Sequence, residues 1–366
     1  MKTFTFDITE NLEKTFDAVF RRMLEKGGID ALFIPKKAPN GYYLPSLISD
    51  PAKVNGANPF AAVMPINSAT LISNITRLTA SPGKIGVVLK PCEYRALVEL
   101  VKLKQVTIDN LIILVTDCLG TFPLSEYLQI AGAKTTEETF ALLEREEGLR
   151  TACRTCEHCI PEGEDFDVAV QLLGIDRKKH LSFEGRTDKG IELLEKSGGK
   201  EGATLAGREK ALKEFIDGRK NKGAEIIGRE REKFVGIDRM TDTLEPCISC
   251  HNCMDACPIC YCKECFFESP TFEYEAEKYL RWSGRKGSIR MPVGTLLFHL
   301  GRMNHMAVSC VGCGMCEQAC PAKIPLLSMF KSAGADLQKV FEYLPGRSLK
   351  ESLPLIIYKE NELEPQ

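Results

Sequence analysis

Eleven of the sixteen cysteines in this 366-residue chain are packed into two short bursts, and those bursts limit what the chain can fold into. The first reads "CISCHNCMDACPICYCKEC", from Cys247 to Cys265, and the second "CVGCGMCEQACP", from Cys310 to Pro321. Cys247, Cys250, Cys253 and Cys257-Pro258 follow C-x2-C-x2-C-x3-C-P, and Cys310, Cys313, Cys316 and Cys320-Pro321 repeat the same intervals. Thiolates two residues apart in a tight loop reach adjacent irons of one 4Fe-4S cubane, while the fourth cysteine of each run points away and ligates the other cubane. The spacing therefore predicts one centre held by Cys247, Cys250, Cys253 and Cys320, and a second held by Cys310, Cys313, Cys316 and Cys257. Structural zinc is the alternative, but zinc knuckles set two C-x2-C pairs apart by a dozen or more residues. Three cysteines at successive two-residue intervals, closed by Cys-Pro and occurring twice, fit iron–sulfur chemistry better. Cys260, Cys262 and Cys265 are left over as packing cysteines, spare ligands or part of another centre.

The opening "MKTFTFDITENLEK" lacks the apolar core of a secretory signal, so the chain is expected in a reducing cytoplasm, where thiols bind metals more often than they pair. No run approaches the roughly 18 apolar residues of a membrane helix. The formal charge of −2 gives no reason to expect a polyanion partner. "NLEKTFDAVFRRMLEKGG" reads as an amphipathic helix with a glycine stop. The runs "ALFIP", "KIGVVLKPC", "NLIILVTDC" and "DFDVAVQLLG" alternate with helical stretches such as "EYRALVELVKL". Short apolar runs alternating with helices imply strands covered by helices. The expected architecture is an α/β domain over residues 1–235 with a mainly parallel sheet. A small α+β two-cluster ferredoxin-like module follows over 236–330, with a partly helical insertion between the bursts, and then a tail over 331–366, helical and then extended. The charged stretch from Arg177 to Lys233 reads as two helices with a solvated face. It has neither the basic stripe nor the aromatics of a nucleic-acid surface.

Cysteines outside the bursts sit where ligands gather. Cys92 follows the strand "GVVLKP" and Cys118 follows "LIILVTD", and open α/β sheets bind ligands beyond the carboxyl ends of their strands. With Cys153 and Cys156 of "ACRTCEHC" they would make four. A buried lone cysteine is ordinarily a small hydrophobe, so placement alone leaves both readings open.

The segments "VVLKPCEYRALVELVKL", "ILVTDCLGTFPLSEYL", "ACRTCEHCIP" and "GRTDKGIELLEKSGG" together resemble the coenzyme F(420) hydrogenase/formate dehydrogenase beta-subunit family. The C-terminal "CPICYCKEC" and "HLGRMNHMAVSCVGCGMCEQACPAKIP" look most like its formate dehydrogenase branch. The resemblance runs over roughly residues 84 to 345. It implies a third 4Fe-4S cluster on Cys92, Cys118, Cys153 and Cys156, with FAD beside it. It further implies an electron-transfer subunit joined to a catalytic subunit such as a formate dehydrogenase, or to a heterodisulfide-reductase-like complex. The family's Gly-Gly pair at the first helix and its glycine-rich segment after the C-x2-C pair are absent here, and no G-x-G-x-x-G follows a strand. The competing expectation is a self-contained FAD-dependent oxidoreductase acting on a reduced deazaflavin or nicotinamide. No nucleophile–base set has local sequence support. His158 and His251 are expected to donate to cluster sulfur or to lie exposed. His299 and His305 are read as packing or surface residues. Lys90 and Arg95 flank Cys92, either as solvated charges or as counter-charges to a cluster.

Overall fold

Four largely apolar runs become parallel neighbours because helices cover both of their faces. In the computed structural model, which describes residues 1–202 and 207–356, the strands are β1 (Lys2–Asp7), β2 (Ala31–Lys37), β3 (Tyr43–Ile48), β4 (Ile85–Leu89), β5 (Leu111–Thr116), β6 (Val168–Gln171), β7 (His180–Gly185) and β8 (Lys200–Gly202). They form one sheet in the order β3-β2-β4-β5-β6-β7-β1-β8. β2, β4, β5 and β6 pair in parallel, with Val87 opposite Ile113 and Val115 opposite Ala169. The other pairings are antiparallel. The sheet is thus mixed, and the expectation of a mainly parallel one is corrected. The antiparallel strands carry a different pattern. β1 alternates, burying Phe4 and Phe6 and turning Lys2 and Asp7 outward, and Phe6 packs edge-on against Phe183 of β7 at 5.2 Å. Such half-buried strands give period-two patterns rather than continuous apolar runs.

The two faces of the sheet build two cores. Ile112 and Leu114 of β5 point toward the helix Leu12–Lys26, where Phe16, Phe20 and Met23 pack. Leu111, Ile113 and Val115 point to the opposite face, toward Leu97 of the helix Pro91–Lys102. That second core runs on without a break into Met254, Val311 and Phe330 of the cysteine-rich region. Among the described residues that region contains helices and single 3-10 turns but no strand, so the expected α+β module is helical. Its insertion supplies the helices Ala276–Lys286 and Thr295–Met306. The helix Leu326–Val340 follows the second burst; the far end of the tail expected to be extended, from 357 on, lies outside the described residues. No described helix is long and apolar enough to cross a membrane.

A strap from the C-terminal end clips the two parts together. The hydroxyl of Tyr343 donates to the buried Glu99 carboxylate at 2.6 Å, and the Gly346 amide donates to it at 2.9 Å. Arg95 Nε donates to the Pro345 carbonyl at 2.8 Å. Gly346 has φ +78°, and a Cβ there would stand 2.4 Å from Arg95 Cα. Only glycine permits that approach.

Candidate metal centres

Each burst folds as the tight loop its glycines and left-handed residues permit. Gly312 and Gly314 take φ values of +69° and +68°, and Ser249 and His251 take +49° and +59°. The turns bring the thiols of each run inward, and the chain then crosses over as the spacing requires. One small cavity is lined by Cys247, Cys250, Cys253 and Cys320. A second is lined by Cys257, Cys310, Cys313 and Cys316. Both are otherwise apolar, walled by residues such as Phe298 and Ile324 in the first and Met306 and Phe330 in the second. Four thiols around a space of this kind suit an inorganic core with several iron atoms. Among the described residues, no three His, Cys, Asp or Glu side chains converge closely enough for a single ion.

The strand-end cysteines also gather. Cys92 opens the helix Pro91–Lys102 just past β4, and Cys118 lies two residues past β5. The Cys118 amide donates to the Cys159 carbonyl at 2.8 Å, which ties the Cys153–Cys159 loop to the strand end. Burial pushes the Cys92 thiol well up, aided by the negative charges of Glu93, Cys313, Cys118 and Cys156. Burial and the charge of Cys153 push Cys118 up to about 12. Cys153 moves the other way. Burial raises its pKa, but the Arg150 guanidinium, hydrogen bonds from Thr121 and the charge of Arg219 outweigh burial and hold the thiol below its ordinary range. The Thr121 amide reaches Cys153 Sγ at 3.3 Å, and Arg150 Nη2 reaches it at 3.6 Å.

Buried arginines surround these thiols, and sequence reading missed most of them. Arg302, on the helix Thr295–Met306, donates from Nη1 to Cys253 Sγ at 3.0 Å and from Nη2 to the Cys253 carbonyl at 3.0 Å. Arg150 reaches Gln318 at 3.4 Å, and Gln318 in turn donates to the Met64 carbonyl at 2.9 Å, joining the second burst to the α/β domain. Gly314 carries this contact closer still, since a Cβ there would stand 2.4 Å from Ala152 Cβ. Arg219 is 1% exposed and donates to Glu146 at 2.7 Å, to the Leu119 carbonyl at 2.6 Å and to the Cys153 carbonyl. Its helix, Arg208–Arg231, has the expected solvated face, burying only Arg219 and Gly223, and on its inner side Arg208 also pairs with the fully buried Asp117 at 2.7 Å. Lys90 and Arg95 are buried too, and their charges act on Cys118 and on Cys156 and Cys310. Grouped thiolates bury negative charge, and buried charge is tolerated only when compensated. The arginines provide the compensation.

The histidines divide. His299, read as a packing or surface residue, is buried with Nε2 3.4 Å from Cys247 Sγ. Burial, followed by the charges of Arg302 and His251, lowers its pKa to about 4, so the ring is neutral near pH 7. His158 pairs with Glu162 at 2.8 Å, His251 stacks on Phe298 at 4.3 Å, and His305 is exposed. The surplus cysteines line neither cavity. Cys260 and Cys265 contact the sulfurs of Met306 and Met254, and Cys262 is exposed.

Two cavities with crossed cysteine sets define an iron–sulfur protein of the two-cluster ferredoxin type. Residues 243–324 match the 4Fe-4S dicluster domain family. Along most of its length the chain is similar to the F420-dependent formate dehydrogenase subunit beta of Methanocaldococcus jannaschii, 28% identical over 92% of each chain. It is similar also to the F420-dependent formate dehydrogenase 1 subunit beta of Methanococcus maripaludis, 27% identical over 90% of this chain and 89% of that one. The expected kinship with the formate dehydrogenase branch is borne out by these relatives. A chain of the xenon-derivatised F420-reducing [NiFe] hydrogenase complex from Methanosarcina barkeri superposes with a TM-score of 0.46 at 14% identity, over 65% of this chain and 94% of that one. At that score the likeness carries no further weight.

Proposed function

We propose that this chain is the electron-relay beta subunit of a formate dehydrogenase-type oxidoreductase, passing single electrons between a catalytic subunit and a second redox carrier. The observation that carries the reading is the continuity of the thiol groups. Cys92, among Cys118 and Cys156, also feels the charge of Cys313 in the second cavity. Cys316 of that cavity feels Cys253 in the first. In this reading the three groups of four cysteines follow one another from the first cavity through the second to the strand ends.

Bound 4Fe-4S clusters would supply one-electron carriers at these positions, with potentials set by charge, hydrogen bonds and exposure. The chain's own residues do the rest. Cys247, Cys250, Cys253 and Cys320 hold one end, Cys257, Cys310, Cys313 and Cys316 the middle, and Cys92, Cys118, Cys153 and Cys156 the end at the sheet. Arg302, Arg150 and Arg219 place positive charge beside the thiolates, and Phe298, Phe330 and Met306 keep water out. A catalytic subunit is the partner this role requires. A heterodisulfide-reductase-like subunit is the other partner it admits, and a reducing compartment such as the cytoplasm suits its free thiols.

The space at the strand ends beside Lys90, Thr116 and Cys118 is about 10 Å³. Pockets for organic ligands run from roughly 300 to 1,000 Å³. The residues there do not fit a flavin, and no step of the relay passes through one.

Purified anaerobically, the wild-type chain should carry about twelve irons, and Cys92→Ser about eight with both dicluster centres intact. Metal analysis with EPR reads both. About eight irons in the wild type would remove the sheet-end centre, and a zinc-only preparation would remove the relay. Arg302→Met takes a cation from Cys253 and should lower the potential of the nearest centre by about 60 mV, one tenfold step in a one-electron equilibrium. Potentiometric EPR would expose an unchanged potential, and with it an arginine of purely structural use.

A further inference from the structure

An open cleft of about 590 Å³ is tied by hydrogen bonds to the loop that lines the first cysteine cavity. Arg290 joins the two, donating from Nη2 to the Cys247 carbonyl at 3.0 Å and from Nη1 to Thr295 Oγ1 at 3.0 Å. Thr295 in turn lies 3.4 Å from Ser249, within the first burst. Arg285 and Lys286 line the same cleft with the chain's single tryptophan, Trp282, and no acidic residue lines it. Among the described residues none of these three cations forms an ion pair; Arg290 bonds only to carbonyls and a hydroxyl.

Exposed apolar side chains stand next to both linings in the sequence. Ile248, between Cys247 and Cys250, is 61% exposed, Met291 is 60% exposed, and Leu297, beside Phe298, is 53% exposed. Cys250 itself reaches the surface, whereas Cys316 of the middle group is buried. Of the three cysteine groups, the first is therefore the one opening onto an apolar surface flanked by unpaired positive charge.

We propose that this face is the port at which a one-electron protein carrier with a carboxylate-rich contact surface docks. The inference rests on the relay reading and adds where the relay meets its partner. A cluster held by the thiols behind Cys250 would supply the one-electron acceptor or donor for the carrier, and such a transfer would make or break no bond. Apolar contact supplies close approach, while the cations steer encounter and select an acidic partner. A cleft filled instead by a small anion would leave partner association indifferent to its charges.

The test uses the holoprotein with its catalytic subunit bound, and a carboxylate-rich ferredoxin as the probe carrier whose association is measured. The double variant Arg285→Glu/Lys286→Glu should slow association by about tenfold or more and flatten its dependence on NaCl. Leu297→Asp should weaken the complex without altering that dependence, and added poly-glutamate should compete with the wild type alone. Lys213→Glu/Lys220→Glu, on the exposed side of the helix Arg208–Arg231, serves as the control. Unchanged association in the first double variant, or equal loss in the control, overturns the port. Iron content and reduction by dithionite are read on the same samples. Normal iron with unchanged association sinks the port and spares the relay. Absent iron with charge-dependent association sinks the relay and spares the docking face.

Discussion

Cys320→Ala is expected to remove about four irons from the centre of the first burst, although Cys320 belongs to the second. The reason is the crossed lining of the two cavities, Cys320 with Cys247, Cys250 and Cys253, and Cys257 with the second burst. Cys250→Ala should cause the same loss, and the double variant should lose no more than either alone. Were each burst to hold its own centre, the double variant would lose about eight irons. Iron per chain across the three proteins decides it, and EPR identifies the survivor. The effect is large because a cluster deprived of a thiolate opens to water, and the two histidines of that lining are already engaged, His299 against Cys247 and His251 stacked on Phe298.

Arg219→Met should destabilise the chain by about 3–5 kcal/mol, the usual cost of removing one member of a buried ion pair. Arg219 is 1% exposed and its partner Glu146 is 15% exposed at the side chain, so solvent screens little of the interaction. Methionine fills much of the volume but leaves the Leu119 and Cys153 carbonyls without this donor and the Glu146 carboxylate with Lys222 alone. The same change withdraws positive charge from Cys153, whose thiol burial would then drive upward. Denaturant unfolding of the apoprotein measures the stability loss, and metal analysis should show weakened iron at the sheet-end group. Arg219→Lys should recover only part, because one ammonium cannot span three acceptors as a guanidinium does. Wild-type stability in Arg219→Met would mean the helix Arg208–Arg231 is held by its other contacts alone.

What could be read in advance follows from what each pattern depends on. Ligand spacing survives in sequence because loops of fixed length set it, so Cys247–Cys257 and Cys310–Cys320 announce themselves. β4 and β5 are similarly plain, since strands buried on both faces must be apolar throughout. β1 was passed over because only Phe4 and Phe6 of its six residues are deeply buried, and the antiparallel half of the sheet went with it. The arginines hid for another reason. Arg219 sits in a helix so rich in charge that no face stands out, and its burial comes from the loops around Cys118 and Cys153, far away in sequence. Arg302 did leave a trace. A lone cation with Phe298 four residues before it and Met306 four after it lies in an apolar helical stripe, and such a position asks for a buried anion.

The clip between Tyr343–Gly346 and the helix bearing Cys92 bears on how the molecule comes to be made. Glu99 and Arg95 wait for partners that leave the ribosome some 250 positions later. The second cavity lacks thiols until Cys316 has been synthesised and the first until Cys320, and the helix bearing Cys92 stays unfastened until the strap arrives. Iron loading is therefore expected late in synthesis, and a shorter nascent fragment would offer scavenging metal ions loose thiols instead of a shaped receptacle.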